Sequence, residues 1–496
     1  MDEFTNKRSI MFILQTNSMN MKNLIPILFI ISLFGVACNH TKNDAATSNT
    51  VIVCGKITNP TSKKITFAYS DGFNIIKDSA ILDSTGSFRF VKQIAHECLY
   101  KFKHGKEFSN IYLRGGDSLY FTLNTDSFDE SLIYQGKGAE MNNFLANEIR
   151  LWEMESAKED AFNELSKDSF VIAENGLRAE TEKRLSDFYE ANKANVSEAF
   201  LKIEKQVILL NWACSYGTYP SFHYYATDEK ADLGDDYDNY INELDLNDTS
   251  LIGLDELEAF LQTYLMRYEN DLNTNDPDLA ANPAKMTEKL FNRALEVFKD
   301  KQLKNYALSV LLKDKISQSG TAGLESVMQT YSNECSSALY KKVITDEYNK
   351  WKTIEKGAVA PLFSYQDING KQVSLSDFKG KYVYIDVWAS WCGPCKREIP
   401  YMKTLEEEFK NKNIVFMQVS LDDNKTDWET MVKEKQLGGI QLWAGGWAST
   451  ISKDYIINSI PRFILIDKEG KIIDSNAPRP SGEISKVLSR LDKIAS

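Results

Sequence analysis

The stretch "DVWASWCGPCKREIP", Asp386 to Pro400, decides how this chain is read. It sets Cys392 and Cys395 around a Gly-Pro dipeptide, directly after an apolar run and at the start of a charged, helix-compatible segment. A Cys-x-x-Cys that opens a helix puts its first sulfur among backbone N–H groups that lack an intrahelical partner, at the positive end of the helix dipole. That setting favours the thiolate, so Cys392 is expected to titrate well below the ~8.5 of a free thiol. Cys395 lies one turn further in, close enough to close a small disulfide ring and expected to be too buried to be attacked first. Cys392 is then the nucleophile towards a disulfide, and Cys395 the thiol that resolves the mixed disulfide. A structural zinc site would need a second ligand pair, and there is no second Cys-x-x-Cys. An inert structural disulfide would be an odd use of a helix N-terminus.

Outward from this motif the C-terminal region alternates strand and helix. The segment "VYIDVWA" ahead of the cysteines is a near-continuous apolar strand, as a sheet buried on both faces requires. The helix "CGPCKREIPYMKTLEEEF" is followed by the strand "IVFMQVSL" and the helices "DWETMVKEKQL" and "ASTISKDYI". A strand pair, "RFILID" and "KIIDS", turns at Glu469-Gly470, and the helix "EISKVLSRLDKI" closes the chain. The pattern predicts an α/β layer, a mixed sheet with helices on both faces, over residues 355–496. It is entered through a linker, "EKGAVAPLF", residues 355–363.

These residues resemble the thioredoxin active site position by position. Asp386 matches the buried acid six residues before the nucleophile, Trp391 the flanking indole, and Gly393-Pro394 the intervening dipeptide. Pro400 matches the kinking proline of the active-site helix, and "SIPRFILID" (459–467) the segment that carries the cis-proline, here Ile460-Pro461. Within that superfamily "CGPCKREIP" is similar to the TlpA/ResA class of exported thiol-disulfide oxidoreductases, a class also gathered under alkyl-hydroperoxide-reductase/TSA-type labels. The resemblance implies a thioredoxin-like C-terminal domain with Cys392, Cys395 and Asp386 as catalytic residues and Cys392–Cys395 as the redox disulfide. It implies substrate contacts at Trp391, Gly393, Pro394, Ile460 and Pro461, the Ile460 backbone pairing with an extended client segment. No cofactor and no metal are implied. The implied partners are client proteins with disulfides and a membrane or periplasmic electron donor.

For Asp386 the chemistry supplies a task. Resolution needs Cys395 as a thiolate, burial raises a thiol's pKa, and a buried carboxylate of raised pKa can take that proton as general base. A carboxyl group merely satisfied by hydrogen bonds is the other reading. The lysine that neighbours this acid in thioredoxin has no clear counterpart, because Gln418 and Ser420 occupy that strand. Gly-Pro is also the dipeptide of thioredoxin, a reductant at ~−270 mV against ~−120 mV for an oxidant such as DsbA, so the expected direction is reduction. A thiol peroxidase of the AhpC/TSA type is an alternative, but it wants Thr or Ser three residues before the cysteine and Pro seven before. Those positions hold Ala389 and Ile385. A second alternative is a lipoprotein scaffold or binding protein with an accessory redox domain.

Residues 138–354 carry apolar residues at helical spacing in "FLANEIRLWEMES", "EAFLKIEKQVILLNWAC", "LDELEAFLQTYLMRYENDL" and "YALSVLLKDKI". They predict a helical middle domain with breaks at "SYGTYPSFHYY" and "NTNDPDLAANPAK". Ahead of it, residues 50–137 alternate β-branched and aromatic residues with polar ones in "VIVCGKI", "KKITFAY", "SFRFV", "LYKFK", "NIYL" and "SLYFTL". Turns at Asp83-Ser84-Thr85-Gly86 and Arg114-Gly115-Gly116-Asp117 punctuate them, predicting an antiparallel β-sandwich of around eight strands. Such a front domain resembles the small β domain found in many Gram-negative thiol-disulfide lipoproteins. Cys54 and Cys98 fall in it, and whether they pair is open.

At the N-terminus "MKNLIPILFIISLFGVAC" runs from Met21 to Cys38, one lysine and then, from Leu24, fourteen uncharged, mostly apolar residues. It is short for a membrane-spanning helix, which needs ~20 residues, and suits a secretory signal over residues 1–38 followed by a polar tether, 39–49. The closing cysteine resembles a bacterial lipoprotein signal, which implies lipidation of Cys38 and a place on the periplasmic side of the cell envelope. Gly35 stands where that signal usually has Leu, and Gly35-Val36-Ala37 also suits ordinary cleavage. The net charge of −12 argues against nucleic acid as a partner. Four scattered histidines (His40, His96, His104, His223) and seven thinly spread cysteines exclude a disulfide scaffold and offer no metal-ligand spacing.

Overall fold

A computed structural model of the chain describes residues 49–495 except 235, 277, 278, 280 and 281. The segment expected to be a signal sequence, Cys38 included, lies outside the described residues. The chain divides into two compact units, one ending at Thr274 and including Leu295–Ala307, the other formed by Asn275–Ala294 and the chain from Leu308 onward.

In the first unit β1 (Thr50–Thr58), β4 (Ser87–Gln93), β7 (Ser118–Asn124) and β8 (Ile133–Lys137) form one sheet in the order β4-β1-β7-β8. The strands β2 (Lys64–Asp71), β3 (Asn74–Ile81), β5 (Cys98–His104) and β6 (Glu107–Leu113) form another, ordered β3-β2-β5-β6. Val53, Phe90 and Phe121 from the first sheet share a buried core with Phe67, Phe102 and Ile111 from the second. The Phe67 and Phe90 rings stack with centroids 4.3 Å apart, and Phe102 meets Phe121 at 5.1 Å. Burying one such ring contributes roughly 2–3 kcal/mol.

Pairing is not antiparallel throughout, as the alternation had suggested. Strand β1 runs parallel to β7, from Ile52 opposite Ser118 to Thr58 opposite Asn124. After β4 the chain leaves for the β5–β6 hairpin of the other sheet and re-enters beside β1 in β1's own direction. Strands β3 and β8 were not legible because each buries a single side chain, Ala80 and Tyr134. Cys54 on β1 and Cys98 on β5 belong to different sheets and are not joined in a disulfide; burial pushes Cys98 up to about 12.

Helices α1 (Ala139–Phe162), α2 (Lys167–Asn192), α3 (Glu198–Thr227) and α4 (Asp255–Asn275) follow. The break expected at 215–225 does not occur: α3 runs through it with Pro220 inside. Pro220 has no N–H to donate to the carbonyl of Tyr216, the residue four back. Tyr237 fills the gap, its hydroxyl donating to Tyr216 O at 2.8 Å. The other expected break is present, between the end of α4 and α5 (Pro283–Val297). Then come α6 (Lys301–Ser319), α7 (Glu325–Glu334) and α8 (Ala338–Lys352).

The second unit contains a seven-stranded mixed sheet, ordered β10-β9-β13-β12-β11-β14-β15. Its strands are β9 (Ser364–Asp367), β10 (Gln372–Ser374), β11 (Tyr382–Trp388), β12 (Ile414–Ser420), β13 (Ile440–Trp443), β14 (Arg462–Ile466) and β15 (Ile472–Asp474). Strand β11 lies inside the sheet next to its central strand β12, parallel to β12 and antiparallel to β14. The helices are α9 (Gly393–Glu408), α10 (Lys425–Lys435), α11 (Thr450–Asp454) and α12 (Ile484–Ala495). Met402 and Leu405 of α9 and Ile484 and Leu488 of α12 bury against Tyr384 and Phe463 of the sheet. The segment 355–363, read as a linker, instead lies along β15: Gly357 N donates to Ile472 O at 2.7 Å, Ile472 N to Ala358 O at 2.8 Å, and Ala360 N to Gly470 O at 2.9 Å. An edge strand leaves such backbone groups to be paired, and this chain covers them with its own approach.

The Pro220–Tyr237 arrangement gives a test within the first unit. Tyr237→Phe orphans the Tyr216 carbonyl and is expected to cost about 1–2 kcal/mol. In a Pro220→Ala background the alanine N–H takes that carbonyl, and the same change is expected to cost about 1 kcal/mol less. Urea midpoints of the four proteins measure the coupling; additive losses would show that Tyr237 does not stand in for the missing donor.

Candidate functional site

Cys392 is the N-cap of α9, and its sulfur accepts the backbone N–H of Cys395 at 3.1 Å. The two cysteines are joined as a disulfide, with Cα atoms 5.3 Å apart. Pro394 occupies the first turn, where a missing N–H costs nothing. A Cβ on Gly393 would meet nothing within 4 Å, so the glycine is not demanded by packing and leaves the surface beside the disulfide open. The two cysteines differ less in exposure than the sequence suggested. Both are 4% exposed in the disulfide form, because each sulfur covers the other and Trp388, Ala389 and Trp428 pack behind them. Cys392 is set apart by its place at the helix end.

Ile460 packs against this same cluster, and the Ile460–Pro461 bond is cis, as expected. Arg462, next along, is buried; its Nε donates to Ser475 O at 2.8 Å and its guanidinium lies 5.2 Å from the Trp351 ring centre. Trp391 is exposed to solvent.

Asp386 sits on β11 opposite Phe463 of β14 and Gln418 of β12 and is buried. Its Oδ1 finds no hydrogen-bond partner. Burial, followed by the Glu398 and Glu406 carboxyl groups, pushes Asp386 up to about 8. Both glutamates come from α9, and neither was singled out in the sequence. Glu398 accepts from Ser481 N at 3.0 Å and Ser481 Oγ at 2.9 Å, and Glu406 accepts from Gln418 Nε2 at 2.9 Å. Gln418 thus faces a glutamate on the strand where thioredoxin's lysine would stand. The surroundings of Asp386 are acidic rather than ion-paired. The spacing of Cys395, Glu398 and Met402 along one helix face was the available signal for Glu398, masked by the charged run "KRE".

Asp422 was also missed. It is 1% exposed, and its carboxyl oxygens accept from Ser390 N at 3.0 and 3.1 Å, Ser390 Oγ at 2.7 Å and Ser420 Oγ at 2.7 Å. Its main-chain oxygen accepts from Trp443 Nε1 at 2.7 Å. This one residue fixes the turn that delivers Trp391 and Cys392. Chemically, the arrangement is a dithiol/disulfide pair at a helix end, with a buried acid of raised proton affinity on the strand that leads into that helix.

The raised Asp386 carries a stability signature. An unfolded aspartate titrates near ~3.9, so between there and about 8 the folded chain holds a proton the unfolded chain has lost. Stability from this group therefore falls as pH rises through that window. Asp386→Asn is expected to remove this slope and to exceed the wild type at pH 8 by on the order of a few kcal/mol. Urea midpoints at several pH values check this; parallel profiles for the two proteins would show that Asp386 is not the titrating group.

Residues 355–491 match the family model described as Redoxin. A 127-residue stretch is 35% identical to the thiol-disulfide oxidoreductase ResA of Bacillus cereus, covering 25% of this chain and 72% of that protein. ResA of Bacillus subtilis is 30% identical over 128 residues, covering 25% of this chain and 67% of the relative. A solution structure from Bacteroides vulgatus, described as a thiol-disulfide oxidoreductase, is 53% identical, with 27% of this chain and 86% of that chain covered and a TM-score of 0.25. Through its C-terminal, thioredoxin-like region the chain belongs to the redoxin family, among the thiol-disulfide oxidoreductases of the ResA type.

Proposed function

We propose that this protein is an exported, membrane-anchored thiol-disulfide oxidoreductase that reduces disulfides in client proteins through Cys392 and Cys395. The observation that supports it most directly is the Cys392–Cys395 disulfide at the N-terminus of α9, reached from the strand that carries the buried Asp386. In the dithiol form, the Cys392 thiolate attacks one sulfur of a client disulfide. A Cys392–client bond forms, and the other client sulfur leaves as a thiolate. Asp386 in its ionised form takes the Cys395 proton, and Cys395 attacks the Cys392 sulfur, closing the enzyme disulfide and releasing the second client thiolate, which takes a proton from water. Two electrons pass from enzyme to client, and a dithiol donor in the membrane or periplasm restores the enzyme. Trp391, Gly393, Pro394 and the Ile460-Pro461 segment border the client at Cys392.

The remaining parts fit an envelope protein. We read the two-sheet region as a β-sandwich, the following helices as a middle domain, and Cys38 as a lipidated anchor joined by the tether 39–49. Among the described residues no helix is long and apolar enough to cross a membrane. The front domains then space the redox site from the membrane or recruit clients.

Three outcomes test this reading. With dithiothreitol as donor the protein is expected to reduce a model protein disulfide, and Cys392→Ser to lower the rate at least about a hundredfold; undiminished activity would end the oxidoreductase reading. Cys395→Ser is expected to accumulate mixed disulfides that dithiothreitol releases, visible on gels run without reductant. Intact-mass analysis of membrane-derived protein is expected to give a diacylated Cys38 as the first residue, and an unmodified Cys38 in a soluble fraction would remove the anchor.

A further inference from the structure

Two indoles stand side by side in solvent next to the disulfide. Trp391 is 56% exposed and Trp447 is 40% exposed, while Trp388 and Trp428 of the same region are buried. The Trp391 and Trp447 ring centroids lie 6.4 Å apart with planes inclined by 39°. Large apolar surface left in water at one place marks an interaction site, and tryptophan is the residue most enriched among those that dominate binding energy.

The pair is held in place rather than left on loose loops. Trp447 follows Gly445 and Gly446, whose φ angles of +75° and +94° only glycine adopts readily. A Cβ on Gly446 would strike Asp423 Oδ1. Ala444 N donates to Ser420 O at 2.9 Å and Ser449 N to Gly446 O at 3.2 Å, closing the loop at both ends. Asp422 ties the two supports together. Its carboxyl group grips Ser390, directly ahead of Trp391, and its carbonyl holds the Trp443 indole, at the root of the Trp447 loop. A surface fixed before binding loses less entropy when a partner docks.

We propose that Trp447, paired with Trp391, is a specificity-determining residue that selects client disulfides whose cysteine has an aromatic or large aliphatic side chain two residues away. The proposal rests on Cys392 as the attacking thiol. A client sulfur that reaches Cys392 arrives beside Trp391. An extended chain advances ~3.3 Å per residue and returns its side chains to the same face every second residue. A side chain two positions from the client cysteine therefore lies about 7 Å from it, the same span as the step from the Trp391 ring to the Trp447 ring. The occupant is thus an extended client segment with an apolar residue at that position, laid over both indoles. Asp422 is a positioning residue for this surface and touches no client atom.

The test uses the full chain, reduced beforehand with dithiothreitol and freed of it, against synthetic peptide homodisulfides. One peptide set carries Phe two residues before or after the cysteine, and the other carries Gly there. Single-turnover rates are read over a range of peptide concentrations. The wild type is expected to favour the better Phe peptide over the Gly peptide by about tenfold in kcat/KM, expressed chiefly in KM. Trp447→Ala is expected to shrink the ratio to about threefold or less, and Trp447→Phe to keep most of it. A wild type indifferent to Phe, or a Trp447→Ala protein that keeps the full ratio, overturns the inference and leaves the oxidoreductase reading standing. If the wild type reduces neither peptide set and behaves as Cys392→Ser does, the reading of Cys392 falls, and this inference with it.

Discussion

The turn from β11 into α9 is the constraint on which the site depends. In four residues, Ala389 to Cys392, the chain must leave an interior strand of a buried sheet and start a helix with a sulfur at its N-cap. Backbone groups in so tight a turn need partners other than a ladder. Cys392 N donates to Ala389 O at 3.1 Å, and Ser390 N donates to the Asp422 carboxyl group. Leu421 N, in turn, donates to Trp388 O at 2.8 Å, so the neighbouring strand end is fixed by the strand it holds. The helix dipole then acts on a sulfur that cannot drift away from it.

Behind that turn the buried acid has been given no cation. Asp386 shares its surroundings with Glu398 and Glu406, and the strand that might have carried a lysine carries Gln418, committed to Glu406. Burying a charge without a partner costs so much that the group gives up the charge instead. The upward shift of Asp386 is therefore produced by the same burial that makes the sheet stable. Glu398 is tethered by Ser481 just ahead of α12, so the chain's last helix is linked to the cysteine-bearing helix through a side chain one turn beyond Cys395.

The C-terminal region was legible because its strands are long and apolar and its cysteine motif specific. The seven-residue β11 and β12 fill the centre of the sheet. What was missed there is short: β9, β10 and β13 have three or four residues each and take their conformation from neighbours. In the first unit the six quoted runs became strands because their alternation meets a buried face. Strands β3 and β8 escaped because they bury almost nothing. Pro220 misled for a different reason. A proline signals a break only where nothing replaces its lost donor, and the replacement, Tyr237, lies seventeen residues away in sequence. Asp422 and Trp447 were invisible for the same reason: their meaning lies in Ser390 and Trp391, which only the fold brings near.

This difference in legibility has a chemical counterpart. The cysteines can be read from a motif because thiol exchange needs two sulfurs at fixed local spacing, which a single helix turn supplies. The general base and the client surface have no such local requirement. Any strand that buries a carboxyl group behind the helix, and any loop that lifts an indole beside it, would serve. The upward shift of Asp386 comes in part from the nearby Glu398 and Glu406 carboxyl groups. Altering Glu398 would then move the proton affinity felt at Asp386 without touching either sulfur. Under the proposed mechanism the acid cluster sets how readily the second thiol is activated, while the helix end sets the first, and the two halves of the exchange are tuned by different parts of the fold.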